Sequence, residues 1–331
     1  MTCNEFLCKC GGWDLNPRTP TGQAPEVKIY DSDDFLFEKE AQNELCSNGI
    51  HCRKYDDVVR DFHDFLLVEL RMTEYTAKCH CWALRYFLRE VGKKPNEITK
   101  LDIRNFLFKE MQTKSDSTIN NYLKTLKRFF RDYLQKPELI ESFKFKRPEY
   151  REKRLPSKED LKLFYKALPS LEHKAVFLVY ASSGLRAREV ASLTRKNIDL
   201  ENRRLYPSKR SSRTKKVGFG FFNEETAKVL KQLLKGKHWK DDDIVLPSYR
   251  AIEKLWRKVS NECGVKITPQ ILREWFCSEM GRLGVPDRYI DAFCGRVPKS
   301  VLAKHYTDYN PETLKEIYDK ANLKVLIQEI S

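Results

Sequence analysis

Apolar residues spaced three and four apart constrain this chain more than any other feature. In "DSTINNYLKTLKRFFRDYL" (116–134), Ile119, Tyr122, Leu123, Leu126, Phe129, Phe130 and Tyr133 recur at that spacing, which places them on one side of a helix. "DDVVRDFHDFLLVEL" does the same with Val59, Phe62 and Leu66, and "TEYTAKCHCWALRYFLREV" and "ITKLDIRNFLFKEM" repeat the pattern. Residues 53–143 therefore read as a small helical domain. The face opposite the apolar stripe in 116–134 carries Lys124, Lys127, Arg128 and Arg131. Those four are either a solvated face or contacts for phosphate.

The segment "KFKRPEYREKR" (144–154) is dense in charge and broken by Pro148, and reads as an exposed linker. A second domain, 155–331, opens with Ser157 as helix N-cap and Asp160 three residues on, close to a capping box. It is mostly helical. Its interruption, "RRLYPSKRSSRTKKVGFGFFN", reads as two short strands around a basic turn. The expected class is mainly α with a small antiparallel β-sheet. Residues 1–52 are irregular except for "VKIYDSDDFLFEKEA", which suits a short strand and turn.

Lys and Arg number 62 against 47 acidic residues, a net charge of +15 over 331 residues. A surplus that size favours a polyanionic partner, most simply nucleic acid. No apolar run approaches the roughly 18–20 residues that span a bilayer, and no secretory signal pattern opens the chain, so a cytoplasmic protein with no membrane partner is expected. The ten cysteines include no C-x-x-C pair. Most are expected to be small buried residues, and Cys79 and Cys81 diverge on a helix too far to share a metal.

Three short stretches carry chemistry. "YASSGLRAREVASL" (180–193), "TPQILREWF" (268–276) and "FCGRVPKSVLAKHYTDY" (293–309) resemble, in order and separation, the three conserved boxes of the tyrosine recombinases, the integrase family. The resemblance spans about 55–320 and is strongest after 155. It implies a helical core-binding (SAM-like) domain followed by the recombinase catalytic fold, acting on double-stranded DNA by metal-independent strand cleavage and rejoining. It implies Tyr306 as nucleophile, Arg186 and Arg273 as the paired arginines, and Glu189 as the acid supporting the first of them. No cofactor is implied.

Those residue types suit the reaction. Phosphodiester transfer through tyrosine needs an attacking phenol, clamps on two non-bridging oxygens, and a proton donor for the leaving 5′ oxygen. Arginine is always charged and binds phosphate through two parallel hydrogen bonds. The family's proton donor is a lysine in the strand-turn after the first box. "SSRTKKVGFG" offers Lys215 and Lys216, with Lys209 further back, and Lys216 is narrowly preferred. Alternate residues of a strand face opposite ways, so only one neighbour points inward.

Two positions depart from the family pattern. Gln270 stands where the second box has histidine, and Arg296 where the third does. Gln270 can hydrogen-bond phosphate but cannot shuttle a proton, and Arg296 is a permanent cation. The departures resemble archaeal integrases of the fusellovirus type, of viruses and plasmids, which carry the attachment site inside the integrase gene as a copy of part of a tRNA gene. "WDLNP" (13–17) can be encoded by TGG-GAT-TTG-AAC-CCN. The complement of GGGATTTGAACCC reads GGGTTCAAATCCC, a T-arm sequence, so these residues are expected to follow a constraint on DNA.

The expected function is site-specific integration and excision at a host tRNA gene, by a chain that is monomeric when free and tetrameric on DNA. A DNA-binding regulator with a dead recombinase fold and a type IB topoisomerase are the alternatives. Beyond the nucleophile, Leu314, Ile317, Tyr318, Leu323, Leu326, Ile327 and Ile330 recur at helical spacing. That helix either covers its own domain or docks on a neighbour.

Overall fold

A computed structural model describes residues 55–147, 149, 154–207, 218–236, 238–296 and 307–326. Residues 1–52, Lys209, Lys215, Lys216, Tyr306, Ile327 and Ile330 lie outside the described residues. The chain falls into two compact units, Met1–Arg151 and Glu152–Ser331.

The described part of the first unit is a helical bundle of α1 (Asp56–Val68), α2 (Glu74–Val91), α3 (Lys100–Met111) and α4 (Asp116–Lys127). Hydroxyl side chains start three of them. Thr73 accepts from the Thr76 N–H, Thr99 forms a capping box with Asp102, and Ser115 accepts from the Thr118 N–H, each satisfying an orphan donor of the first turn. Gly92, at φ 72°, ends α2 in the left-handed conformation. Val59, Phe62, Leu66, Tyr122, Leu123, Leu126, Phe129 and Phe130 are all buried, as their spacing requires. Phe62 meets Phe129 edge-on at 5.3 Å.

After Lys127 the helix widens into a π segment, Arg128–Tyr133, and Leu134 N–H bonds the Phe129 carbonyl five residues back. A wider turn lets the adjacent Phe129 and Phe130 both face the core. The four basic residues here do not form one open face. Lys127 is 9 % exposed, lies over the Phe145 ring and reaches Glu141 at 3.7 Å. Its stem packs inward as an apolar chain. Arg131 is paired with Asp132 and Glu141, Arg128 is half-buried against the Met72 sulfur, and Lys124 is exposed.

The second unit is built around α6 (Leu171–Ser183), whose residues Ala175–Ser183 are all buried. A helix apolar on every side belongs in a core. Around it stand α5 (Lys158–Ala167), α8 (Glu224–Lys235), α9 (Tyr249–Cys263) and α10 (Pro269–Arg282), with the short α7 (Ala187–Val190) and α11 (Asp287–Phe293). The Ser157–Asp160 capping box forms in both directions. The antiparallel sheet runs β1 (Ile198–Asp199), β2 (Arg204–Leu205), β3 (Gly220–Phe221), with Leu205 opposite both Ile198 and Gly220. The two expected strands are β2 and β3; β1 is an addition.

The last described helix, α12 (Pro311–Ala321), belongs to this unit's own core. Leu314, Tyr318, Leu323 and Val325 are buried, and the Tyr318 hydroxyl donates to the Ser182 carbonyl at 2.7 Å. The Glu225 carboxylate accepts from the Val325 N–H, and Asn223 donates to the Leu323 carbonyl. For residues 311–326 these are the contacts of a helix that covers its own domain. Among the described residues no helix is long and apolar enough to cross a membrane.

Candidate active site

Three segments separated widely in sequence meet at the C-terminal end of α6. The helix stops at Gly184, which sits at φ 64°. A Cβ there would fall 2.6 Å from two Phe276 ring carbons, so both conformation and space demand glycine. Leu185 is buried, with Gly220 of β3 against it. Arg186 follows as the N-cap of α7. Its backbone N–H donates to Glu189 Oε2 at 2.8 Å, and its Nη1 donates to Glu189 Oε1 at 2.9 Å. Glu189 is 3 % exposed, so one buried carboxylate both caps the helix and fixes the guanidinium. The Tyr180 hydroxyl donates to the Ala187 carbonyl at 3.0 Å, bracing the same turn.

Arg273 lies in the second turn of α10, which Thr268 caps and Pro269 opens. It is 6 % exposed. Its Nη1 donates to the Gly184 carbonyl and its Nη2 to the Cys294 carbonyl at 2.7 Å. Burial, with the nearby Arg186 and Arg296 charges, pushes its pKa down, yet a guanidinium stays charged at any physiological pH. The third stretch leaves α11 through Cys294 and Gly295, the latter at φ 59°. The Gly295 carbonyl accepts from Arg186 Nη2 at 3.2 Å. Arg296 follows directly, with Nη1 3.2 Å from Asp291 Oδ1 and Nη2 3.7 Å from Cys277 Sγ.

Arg186, Glu189, Arg273 and Arg296 are therefore brought together. Gln270 is in the first turn of α10, exposed, with its amide donating to Glu274 at 2.9 Å. Tyr306, Lys215 and Lys216 fall outside the described residues. Three neighbours were not foreseen from the sequence. Asp291 holds Arg296, and the Cys277 and Cys294 sulfurs lie 3.3 Å apart beside it. Cys294 is buried in this unit's apolar core and Cys277 packs against it, as expected of small buried residues, but the two sulfurs also adjoin the arginines. Only Cys277's position one turn after Arg273 hinted at this.

In the first unit, His80 Nδ1 lies 2.7 Å from the Thr125 hydroxyl. Burial, with the Arg128 and Lys124 charges, lowers its pKa to about 4.

Two family models match the chain. "Phage integrase, N-terminal SAM-like domain" matches residues 61–139 and "Phage integrase family" matches residues 154–313. Tyrosine recombinase XerA of Saccharolobus solfataricus is 26 % identical over 230 residues, 63 % of this chain and 74 % of that protein. Tyrosine recombinase XerD of Listeria monocytogenes is 23 % identical over 291 residues, 80 % of this chain and 97 % of that one. A lambda integrase dimer bound to a COC′ core site shares the fold at a TM-score of 0.58 and 14 % identity, over 77 % of this chain and 96 % of that one. The Tn1549 transposon integrase in complex with circular intermediate DNA shares it at 0.56 and 18 %, over 78 % and 98 %. The two integrase models together match a SAM-like domain followed by an integrase unit, and this chain belongs to the tyrosine recombinase (phage integrase) family.

Proposed function

We propose that the protein is a site-specific DNA recombinase that integrates and excises a virus or plasmid at a host tRNA gene, through a 3′-phosphotyrosine on Tyr306. One observation carries this reading. Arg186 and Arg273 both anchor on the turn that bears Arg296, which gathers three guanidiniums where a phosphodiester would sit. In this scheme Arg186 and Arg273 clamp the non-bridging oxygens and Glu189 holds Arg186 in place. The Tyr306 oxygen bonds phosphorus as the bond to the 5′ oxygen breaks, and Lys216 (or Lys215) protonates the leaving oxygen. Gln270 and Arg296 add hydrogen-bond donors without a titratable base. With no base in this scheme, Tyr306 gives up its phenolic proton to water as it attacks.

The partner is duplex DNA carrying the attachment sites, with Lys124 and Arg128 as phosphate contacts of the first unit. Lys127 and Arg131 contribute there only if DNA displaces their acidic partners. A tetramer assembled on two sites from free monomers completes the reading, and residues 13–17 are encoded by the attachment site.

The test uses two plasmid-borne copies of the gene's own 5′ segment, one joined to the matching tRNA gene. Exchange of flanking DNA is the expected result. Relaxation of supercoils without exchange would favour a topoisomerase, and binding without strand breakage would favour a regulator.

A further inference from the structure

The thiols of Cys277 and Cys294 have no part in the chemistry above, yet they sit inside it. Cys277 lies on α10 and Cys294 ends α11, and their sulfurs are 3.3 Å apart. Cys294 is fully buried and Cys277 is half-buried. The backbone of Cys294 supplies the carbonyl that Arg273 uses, the next carbonyl serves Arg186, and Arg296 approaches the Cys277 sulfur at 3.7 Å. A thiol pair in a hydrocarbon core would be inert. This one has the Arg296 guanidinium beside it, and Cys277 is only half-buried.

The two sulfurs differ in character. The hydrogen bond with Cys294, aided by the Arg296 and Arg273 charges, holds the Cys277 thiol below the ordinary range despite its burial. The same hydrogen bond, and burial, push Cys294 up. Cys277, the less buried of the two, is suited to attack, and Cys294 to keep its proton until a mixed disulfide forms. An attacking and a resolving cysteine differ in this way.

We propose that Cys277 and Cys294 are a modification site: they close to a reversible disulfide that turns off strand cleavage, and the reagent is a low-molecular-weight disulfide. The Cys277 thiolate attacks one sulfur of the reagent, forming a mixed disulfide and expelling one thiolate, which takes up a proton. The Cys294 thiol then loses its proton and attacks the Cys277 sulfur, expelling the second reagent thiol. Two protein thiols are oxidised and one disulfide is reduced to two thiols. The sulfurs must close to about 2.05 Å, which draws the Cys294–Gly295 turn toward α10. That turn holds both arginines, and the bond also removes the thiolate that faces Arg296. The loss of cleavage rests on the recombinase reading, whereas the disulfide itself does not.

The test treats the full-length protein with oxidised glutathione, blocks free thiols, digests with trypsin and maps peptides without reductant. Each cysteine lies in its own tryptic peptide, EWFCSEMGR for Cys277 and YIDAFCGR for Cys294, so a linked pair identifies the bond whatever the other cysteines do. The expected result is that linked pair, with cleavage of a nicked duplex falling roughly a hundredfold and returning after dithiothreitol. Cys294→Ala should give glutathione on Cys277 and no linked pair. Both peptides recovered unlinked would overturn the proposal, as would a linked pair with unchanged cleavage. No cleavage by the fully reduced protein would instead overturn the recombinase reading, and the peptide map would still decide the disulfide.

Discussion

Arg186 and Arg273 donate to the carbonyl oxygens of adjacent residues, Gly295 and Cys294. Each guanidinium has five N–H groups: one on each terminal nitrogen fixes the plane, Arg186 through Glu189 and Gly295 and Arg273 through Gly184 and Cys294, and three are left for phosphate. Lysine carries the charge but not the fork. Arg186→Lys and Arg273→Lys should each lower single-turnover cleavage about 10²–10³-fold, with duplex affinity changed only a few-fold. Gel-shift titration beside a cleavage time course would check this. A lysine variant that cleaves at the wild-type rate would remove the case for two clamps.

Gly184 predicts a structural cost at the same place. Alanine there would be strained at φ 64° and would press on the Phe276 ring 2.6 Å away. Gly184→Ala should destabilise the protein by about 2–4 kcal/mol, read in urea melts. Adding Phe276→Leu should return part of the loss, because neighbouring substitutions are not additive. Equal losses in the single and double variants would mean that the ring is not what the new methyl meets.

His80 gives a pH dependence. Its pKa of about 4 in the folded protein lies below the ordinary 6.5, chiefly through burial. The unfolded chain therefore takes up the proton first, so the contribution is present above pH 6.5 and is lost as pH falls from 6.5 toward 4. The amount is on the order of 3 kcal/mol. Stability measured at pH 7 and pH 4.5 should differ less in His80→Gln than in wild type. An NMR titration placing the His80 midpoint near 6.5 would contradict the assignment.

Removing residues 320–331 takes away buried Ala321, Leu323 and Val325 and the bonds to Asn223 and Glu225. Losing one large buried side chain costs about 2–5 kcal/mol, so the truncated monomer should melt at a clearly lower temperature and less sharply. Unchanged melting with fewer synaptic complexes would show instead that the tail serves a neighbouring subunit.

Helices that bury one face were legible because their apolar spacing is local. Val59, Phe62 and Leu66 are buried where the spacing puts them, and so are Leu314 and Tyr318. The cap at Ser157 was equally readable, since a hydroxyl followed three residues later by a carboxylate satisfies backbone donors by itself. In α3 the signal blurs. Leu101, Phe108 and Met111 are exposed while Ile103, Phe106 and Leu107 are buried, and apolar residues on both sides erase the moment. A two-residue strand such as Ile198–Asp199 has no alternation to read. Lys127 turned inward because its stem found Phe145, a contact from outside the helix. Arg186, Glu189 and Arg273 were visible as motif positions. Asp291 and the Cys277–Cys294 pair were not, because their meeting depends on how the turn after α11 is held against α10.

The proposed nucleophile of strand cleavage is Tyr306. A nicked duplex bearing the attachment site loses its short 5′ fragment on cleavage and so traps the enzyme. Incubated with this duplex in a chelator, wild-type protein should give a protein–DNA adduct that survives boiling in detergent and carries its nucleotide remnant on the peptide containing Tyr306. Tyr306→Phe should bind the same DNA and give no adduct. An adduct formed at full yield by Tyr306→Phe, or a remnant mapped to another residue, would contradict the assignment.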